Sequence, residues 1–90
     1  MDRINYNHLR YFWAVAHDGN LTRTAERLNL SQSALSVQIR KLEDRLGVKL
    51  FEKRGRGLAL TEAGRIALDH ADAIFAAGRD LEAALSGDGA

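Results

Sequence analysis

The stretch from residue 30 to residue 47, LSQSALSVQIRKLEDRLG, carries side chains whose types and spacing suit close contact with another molecule. Its large apolar residues recur at intervals of four, three and four, which is the core stripe of an amphipathic helix: Leu35, Ile39, Leu42 and Leu46. The opposite face of a helix that only needs to be soluble usually carries Glu, Lys and Arg. Here the first half of that face carries glutamine, serine and valine instead. We therefore expect this face to lie against a partner surface.

A second group of chemically useful side chains follows in KLFEKRGRGLAL, residues 49–60. The pattern predicts a strand over residues 49–53, a turn over 54–57 and a strand over 58–60, because two glycines within the turn permit a tight reversal. Three cations surround this turn: Lys53, Arg54 and Arg56. They are explained either as solvated charges that protect an edge strand or as groups that contact a phosphate backbone or a minor groove. Three cations are more than solubility requires, which favours the second explanation.

Two shorter helices are predicted ahead of this region. The first covers residues 6–18 behind an Asn5 cap and stops at a glycine, and the second covers residues 21–28 behind an Asn20 cap. Ser31 then caps the third helix after a very short connection. Two helices joined so closely, the second one amphipathic with an uncharged outer N-terminal face, are typical of a helix-turn-helix.

The apolar residues of these helices are expected to form one small core. Inward positions at helical spacing are Leu9, Phe12, Trp13 and Ala16 in the first helix and Leu21, Ala25 and Leu28 in the second. The small side chain of Ala25 would let the second and third helices cross closely. The aromatic cluster of the first helix could stack on nucleobases or fill the core, and its members are Tyr6, Tyr11, Phe12 and Trp13. A small core needs large rings, which favours the core.

A long fourth helix is expected to begin after a Thr61 cap, with Glu62 near the positive end of its dipole. Its apolar and small residues form a heptad-type seam: Leu60, Gly64, Ala67, Ala71, Ile74, Gly78, Leu81 and Leu85. The domain's core cannot cover about 36 Å of helix, so either the outer part pairs with a second chain or the helix packs back on its own domain. We expect pairing, through Ala67, Leu68, Ala71, Ile74, Phe75, Gly78, Leu81 and Leu85. The small residues among them would allow two such helices to approach closely, and residues 86–90 are expected to be a flexible end.

Composition limits the class of protein. Ninety residues suffice for a single modest core, and 46% apolar with 28% charged residues is ordinary for a soluble domain. The absence of cysteine excludes disulfides and thiolate metal sites. No apolar run reaches membrane length and no signal peptide is evident, so we expect a cytoplasmic protein without a membrane partner. Residues 1–60 hold eleven Lys and Arg against six Asp and Glu, whereas residues 61–90 hold two against six. This asymmetry suggests that the first part meets a polyanion.

With these features in view, TRTAERLNLSQSALSVQIRKLEDRLGVKLFEKRGRGLALTEAG resembles the N-terminal DNA-binding domain of LysR-type transcriptional regulators. The matching pattern is A-x-x-L-x-x-S-Q-x-A-L-S-x-Q-I-x-x-L-E-x-x-L-G-x-x-L-F, then basic residues, then L-T-x-A-G. The resemblance covers about residues 4–85, and so many fixed positions make it specific. The opening INYNHLRYFW further resembles the branch that regulates sodium/proton antiporter genes.

The resemblance implies a mainly α fold: a winged helix-turn-helix of three helices and a β-hairpin wing (residues 1–60), followed by a linker or dimerisation helix (residues 61–85). It implies binding to a dyad-symmetric double-stranded DNA operator as a homodimer, with a tetramer as an option for the full-length protein. It also implies a larger C-terminal ligand-sensing domain, which would bind a small-molecule inducer and would start where this chain stops. The family usually has arginine at Lys53, so minor-groove insertion there could pass to Arg54 or Arg56. Val37 stands where some relatives carry a long polar side chain.

The third helix then has a specific task in DNA recognition. The major groove, roughly 12 Å wide, admits one helix if its leading side chains are short, and Ser33 and Ser36 meet that demand. Gln32 can bond adenine through two hydrogen bonds and Val37 can touch a thymine methyl, while Gln38 either reaches DNA or supports the helix pair. The remaining candidates are cations expected to bind phosphates: Arg23, Arg40, Lys41, Lys53, Arg54 and Arg56.

Other functions have less support in the sequence. An enzyme is not expected, because no paired-carboxylate pocket, phosphate-binding glycine loop or metal-ligand spacing is present. The scattered histidines His8, His17 and His70 are expected to be surface residues, so we expect neither a metal nor a cofactor. The stronger rival is a protein-interaction module that uses the same winged helix. Salt dependence would separate the two, since DNA binding weakens steeply as salt rises.

Overall fold

The computed structural model of the protein describes residues 4–87, which fold into four helices and one β-hairpin. The helices are α1 (Tyr6–Asp18), α2 (Leu21–Arg27), α3 (Gln32–Leu46) and α4 (Glu62–Ser86), and the hairpin pairs β1 (Phe51–Arg54) with β2 (Gly57–Leu60). The predicted winged helix-turn-helix with a long fourth helix is confirmed. Residues 88–90 of the flexible end predicted over 86–90 lie outside the described residues, and Ser86 is the last residue of α4.

Each helix is preceded by a polar N-cap residue, whose side chain accepts hydrogen bonds from free backbone amides in the first turn of the helix. Asn5 Oδ1 accepts hydrogen bonds from the backbone amides of Asn7 and His8 at 2.9 and 3.2 Å. Asn20, Ser31 and Thr61 do the same for α2, α3 and α4 at 2.9–3.0 Å. These are the four caps that the sequence predicts, and they fix where each helix starts.

The turn between α1 and α2 is held by a carboxylate. Asp18 accepts hydrogen bonds from Nη2 of Arg27 at 2.8 Å and from Oγ1 of buried Thr24 at 2.8 Å. These bonds, that from Arg27 first, hold the pKa of Asp18 below its ordinary value of 3.8. The end of α1 is thereby tied to both turns of α2.

The hydrophobic interior forms two adjoining clusters. The first joins α1, α3 and α4 through Leu9, Phe12, Leu42, Leu50 and Ala71, and the second joins α1, α2 and α3 through Val15, Ala25, Leu35 and Ile39. The inward positions predicted for α1, α2 and α3 are confirmed, since each is buried or half-buried. The assignment of all four rings to the core is wrong for Tyr6, which is 61% exposed because it lies in the first turn of α1, ahead of the packed region.

The first half of α4 packs on its own domain, which corrects the interpretation of its small residues. A Cβ at Gly64 would collide with the backbone carbonyl of Leu50, and Ala71 is fully buried between α4 and the rest of the first cluster. These positions are small because the helix crosses its own domain closely, so Ala71 is not available to a second chain. Three further seam candidates, Ala67, Leu68 and Phe75, are half-buried against the same cluster.

The second half of α4 extends beyond this core. Gly78 is exposed, and the apolar side chains of Leu81 and Leu85 are 59% and 80% exposed. Ile74 is 36% exposed at the border between the two halves, and Ile66 adds a 57% exposed side chain that the predicted seam did not contain. The helix is about 37 Å long at 1.5 Å per residue, and its outer end therefore carries an uncovered apolar face.

Candidate nucleic-acid interface

The outward face of α3 consists of short or uncharged side chains followed by cations. Ser33 is exposed and Val37 is 41% exposed, while Ser36 is half-buried on the flank that faces the hairpin. Arg40 and Lys41 are exposed one turn further along. Short or uncharged side chains thus occupy the first half of this face, and exposed cations follow them.

Gln38 lies at the border between this face and the core. It is half-buried and lies about 40° around the helix from buried Leu42 and about 60° from exposed Lys41, taking 100° per residue. Of the two roles left open by the sequence, its position agrees with support of the helix packing rather than contact with a molecule on the outer face.

The start of α3 is joined to α2 by a side-chain hydrogen bond. The hydroxyl of Thr22 donates to Oε1 of Gln32, with 3.3 Å between the oxygens. Both residues line a groove of about 490 Å³ that runs between the helix pair and the hairpin. Lys53 and Arg56 line the opposite side of the groove, so residues more than twenty positions apart in the sequence form one surface.

A second groove lies beside the first and extends along α3. Ser36 and Arg40 line it from the helix, and Lys49 and Lys53 line it from the hairpin and the segment that leads into it. Lys53 borders both grooves and stands between α3 and the wing tip. The cations of the hairpin and the uncharged face of the helix are therefore neighbours.

The two faces of the hairpin separate its cations. Side chains alternate along a strand, so Phe51 and Lys53 share the face toward α3, whereas Glu52 and Arg54 share the other. Arg54 Nη2 accordingly lies 3.8 Å from a carboxylate oxygen of Glu52. Arg56 occupies the two-residue turn after Gly55, whose φ of +61° supplies the left-handed conformation that the first turn position requires. Lys53 and Arg56 lie with α3, and Arg54 does not.

A partly buried set of hydrogen bonds fixes the hairpin relative to α3. The carboxylate of Glu43, on the inner flank of α3, accepts hydrogen bonds from the amides of Leu50 at 2.7 Å and Phe51 at 3.4 Å. From the other side, Thr61 donates its hydroxyl to the Lys49 carbonyl at 2.6 Å and its amide to the Leu50 carbonyl at 3.0 Å. The wing is thus held at its base by α3 and by the start of α4.

Most of the DNA-binding residues predicted from the sequence lie close together in the structure, and other residues join them. Lining or adjoining the two grooves are Gln32, Ser33, Ser36, Val37, Arg40, Lys53 and Arg56, while Arg23 and Lys41 are exposed nearby on α2 and α3. Sequence reasoning missed Thr22, Lys49 and Glu43. Lys49 could have been predicted, because it lies two residues before Phe51 in a pattern whose alternate residues share one face of the hairpin. The contacts of Thr22 and Glu43 could not, because no neighbouring residues in the sequence indicate them.

The histidines do not assemble a metal site. His17 donates from Nε2 to Asp72 at 2.7 Å, and the indole of Trp13 donates to the same oxygen at 2.7 Å, which joins α1 to α4. The hydrogen bond from His17, and then that from Trp13, keeps the pKa of Asp72 below 3.8. His70 is exposed and His8 half-buried. Residues 4–87 contain no cluster of three or more His, Cys, Asp or Glu arranged to bind a metal ion.

Among the residues that the structure describes, no helix combines the length and the apolar character needed to span a bilayer.

Comparison with known proteins agrees with this geometry. The chain is 43% identical over 81 residues to the transcriptional activator protein NhaR of Escherichia coli K12, a match that covers 90% of this chain and 27% of NhaR. The chain therefore spans about a quarter of that relative's length. The structure superposes on the CbnR DNA-binding domain in its DNA complex with a TM-score of 0.79 and 39% identity, covering 93% of this chain and 98% of that one.

A second solved complex has a similar fold. The DNA-binding domain of BenM, bound to its catB site 1 DNA, gives a TM-score of 0.86 at 29% identity and covers 96% of this chain and 97% of that one. The family model for bacterial regulatory helix-turn-helix proteins of the LysR family matches residues 6–65, two thirds of the sequence. The resemblance seen in the sequence is confirmed: this chain belongs to the LysR family of bacterial regulatory helix-turn-helix proteins.

Proposed function

We propose that this chain is the DNA-binding domain of a transcriptional regulator and that it recognises a specific double-stranded sequence. The observation that supports this best is the joint surface of α3 and the wing. An uncharged helical face is bordered by Arg40 of α3 and by Lys53 and Arg56 of the hairpin, and these three cations line two adjoining grooves. Related domains of the family have been solved as complexes with DNA.

In this proposal α3 lies in the major groove. Ser33 and Ser36 are short enough for close approach, and their hydroxyls can donate to or accept from base edges. Val37 offers an apolar contact to a thymine methyl. The exposed cations Arg40 and Lys41 bind phosphates further along, which sets the register without reading sequence.

The wing supplies a second contact beside the helix. Arg56 lies in the turn at the tip of the hairpin and Lys53 on the side that faces α3, so both can meet the same duplex. We assign insertion into the minor groove, or contact with its phosphates, to Arg56 rather than to Arg54. Arg54 lies on the other face of the hairpin and is near Glu52.

The active form in this proposal is a homodimer joined through the outer part of α4. A pair of such helices would cover Ile74, Leu81 and Leu85, and Ile66 where the helices are antiparallel. Burial of each large side chain contributes very roughly 1.5–3 kcal/mol, which is offset in part by several kcal/mol of association entropy. Two winged domains related by a two-fold axis would require an operator with dyad symmetry and half-sites about 34 Å, or a multiple of that, apart.

The complete regulator has further parts in this proposal. A C-terminal domain would bind a small-molecule inducer, and the full-length protein would assemble as a dimer or a tetramer in the bacterial cytoplasm. The activity of the protein is regulation of transcription rather than catalysis, and its relatives are named as regulators.

Selection from a randomised duplex library tests this function directly. Immobilised chain should enrich a dyad-symmetric sequence, and its affinity for that sequence should fall steeply as salt rises, by about 0.9 log units per phosphate contact for each tenfold change in salt. A scrambled duplex of equal length is the control. Enrichment of no sequence, or binding that is insensitive to salt, would favour the protein-interaction module instead.

A further inference from the structure

The hydrogen bond between Thr22 and Gln32 places a constraint on one of the base-reading side chains. Thr22 is the second residue of α2 and Gln32 the first residue of α3, and both are exposed. The Thr22 hydroxyl donates to Oε1 of Gln32 at 3.3 Å. The bond therefore crosses between the two helices of the helix-turn-helix, at the end of α3 that leads into the groove.

The chemistry of a carboxamide makes this bond directional. Glutamine carries one carbonyl oxygen, which accepts, and one NH₂ group, which offers two donors. The usual contact of glutamine with adenine uses both ends, because the oxygen accepts from N6 while the NH₂ donates to N7. When the oxygen is turned toward Thr22, the two donors are the part of the amide that remains for the groove.

Thr22 is suited to hold the amide in this way. A threonine in a helix is confined to two main rotamers, and in the one adopted here its hydroxyl lies within hydrogen-bond distance of the Gln32 amide. The Gln32 side chain is long, and ordering it on binding costs conformational entropy. A bond formed before DNA arrives removes part of that cost and selects one orientation of the amide.

We propose that Thr22 is a positioning residue for sequence recognition, and that it presents Gln32 as a hydrogen-bond donor to a guanine. This inference rests on the proposed function and specifies one of its contacts. The guanine edge in the major groove offers two acceptors, N7 and O6, which match the two donors of the amide. It replaces the adenine contact that the sequence alone suggests for Gln32.

The experiment compares four forms of the chain in the same library selection. Gln32→Ala identifies the base pair that Gln32 reads, because preference is lost at that pair. Thr22→Val removes the hydroxyl and keeps the branched shape, while Thr22→Ser keeps the hydroxyl. Since Thr22 is exposed, all three variants should fold with a Tm close to that of the wild type.

The expected result is a guanine at the Gln32 pair for the wild type and for Thr22→Ser. Thr22→Val should shift the preference toward adenine at that pair alone, by about tenfold in the ratio of affinities, because the freed oxygen can then accept from N6.

Two results would overturn the inference while leaving the proposed function intact. Thr22→Val could weaken binding equally on all sequences, which would make Thr22 a phosphate contact. The wild type could select adenine at the Gln32 pair with no change in the variant. A wild type that enriches no sequence would overturn the proposed function itself, and this inference with it.

Discussion

Replacing Glu43 by alanine should loosen the wing and thereby weaken DNA binding without touching a proposed DNA contact. Glu43 accepts from the amides of Leu50 and Phe51 at 2.7 and 3.4 Å, and these bonds hold the base of β1 against α3. Leu50 is only 1% exposed in the intact domain, and its amide loses this hydrogen-bond partner when the carboxylate is removed. The variant therefore leaves a buried donor without a partner.

The cost follows from the kind of bond that is lost. A hydrogen bond to a charged group contributes about 1.5–3 kcal/mol, and an unsatisfied buried donor costs a similar amount. Because the second bond is long, we expect a loss of about 2–3 kcal/mol in the free energy of unfolding. For a domain of this size that corresponds to a fall of roughly 8–24 °C in Tm. Glu43→Gln keeps an acceptor oxygen and should lose about half as much.

Asp44→Ala is the matched control, since it removes the same charge from the next residue of the same helix turn. Asp44 is exposed, and its replacement should change stability by less than about 0.5 kcal/mol. Thermal unfolding by circular dichroism gives the Tm values. Binding is measured by fluorescence anisotropy at a temperature where every variant is folded. Equal Tm values for Glu43→Ala and Asp44→Ala would refute this account of the wing.

Four further outcomes are expected. Ser36→Glu should abolish preference for the selected duplex in anisotropy while Tm stays near the wild-type value, and retained affinity would show that α3 is wrongly oriented. Arg56→Ala should lower the slope of log affinity against log salt by about 0.9 if it binds one phosphate, and an unchanged slope and affinity would place the wing away from DNA. Leu81→Asp should yield monomers in sedimentation equilibrium, and a wild type that is already monomeric at tens of micromolar would contradict the dimer. Because the pKa of Asp18 is lowered in the folded state, its carboxylate stabilises the fold at pH values above its ordinary pKa of 3.8, and this stabilisation is lost as pH falls through the lower folded pKa. Asp18→Asn should therefore make the free energy of unfolding less dependent on pH in the acid range. An unchanged pH dependence would refute the assignment.

The sequence predicts the helices of this domain well because their ends are local events. Asn5, Asn20, Ser31 and Thr61 each bond an amide two or three residues ahead, and such caps can be recognised from residue type and spacing alone. The predicted end of α2 at residue 28 differs from the structure by one residue, since Leu28 is its C-cap.

The predicted bounds of the hairpin differ from those of the structure because they depend on contacts with residues distant in the sequence. Residues 49 and 50 were expected in β1, but the strand begins at Phe51. In the register that pairs Phe51 with Leu60, Leu50 lies opposite Thr61, which already caps α4, and the amide of Leu50 is bonded to Glu43 instead of to the opposite strand. Nothing in the alternation of residues 49–60 reports these two contacts.

The small residues of α4 were assigned to a helix–helix seam between two chains, and that assignment is wrong for Gly64 and Ala71 for a related reason. Periodicity indicates that Gly64 and Ala71 lie on one face of a helix, but it does not tell which neighbour requires them to be small. The answer is the protein's own Leu50 carbonyl and α1. Ile66, by contrast, is an exposed apolar side chain in the first half of α4 that lay outside the predicted seam.

The most direct test of the central claim is a two-dimensional ¹H–¹⁵N NMR titration of the chain with its selected duplex. The largest amide shift changes are expected over residues 32–37 of α3 and at Gly55 and Arg56 in the wing, with small changes at Asn7 and Arg10 of α1, which lie outside the two grooves. Large changes at α1 with none at the start of α3 would contradict DNA recognition by α3 and the wing.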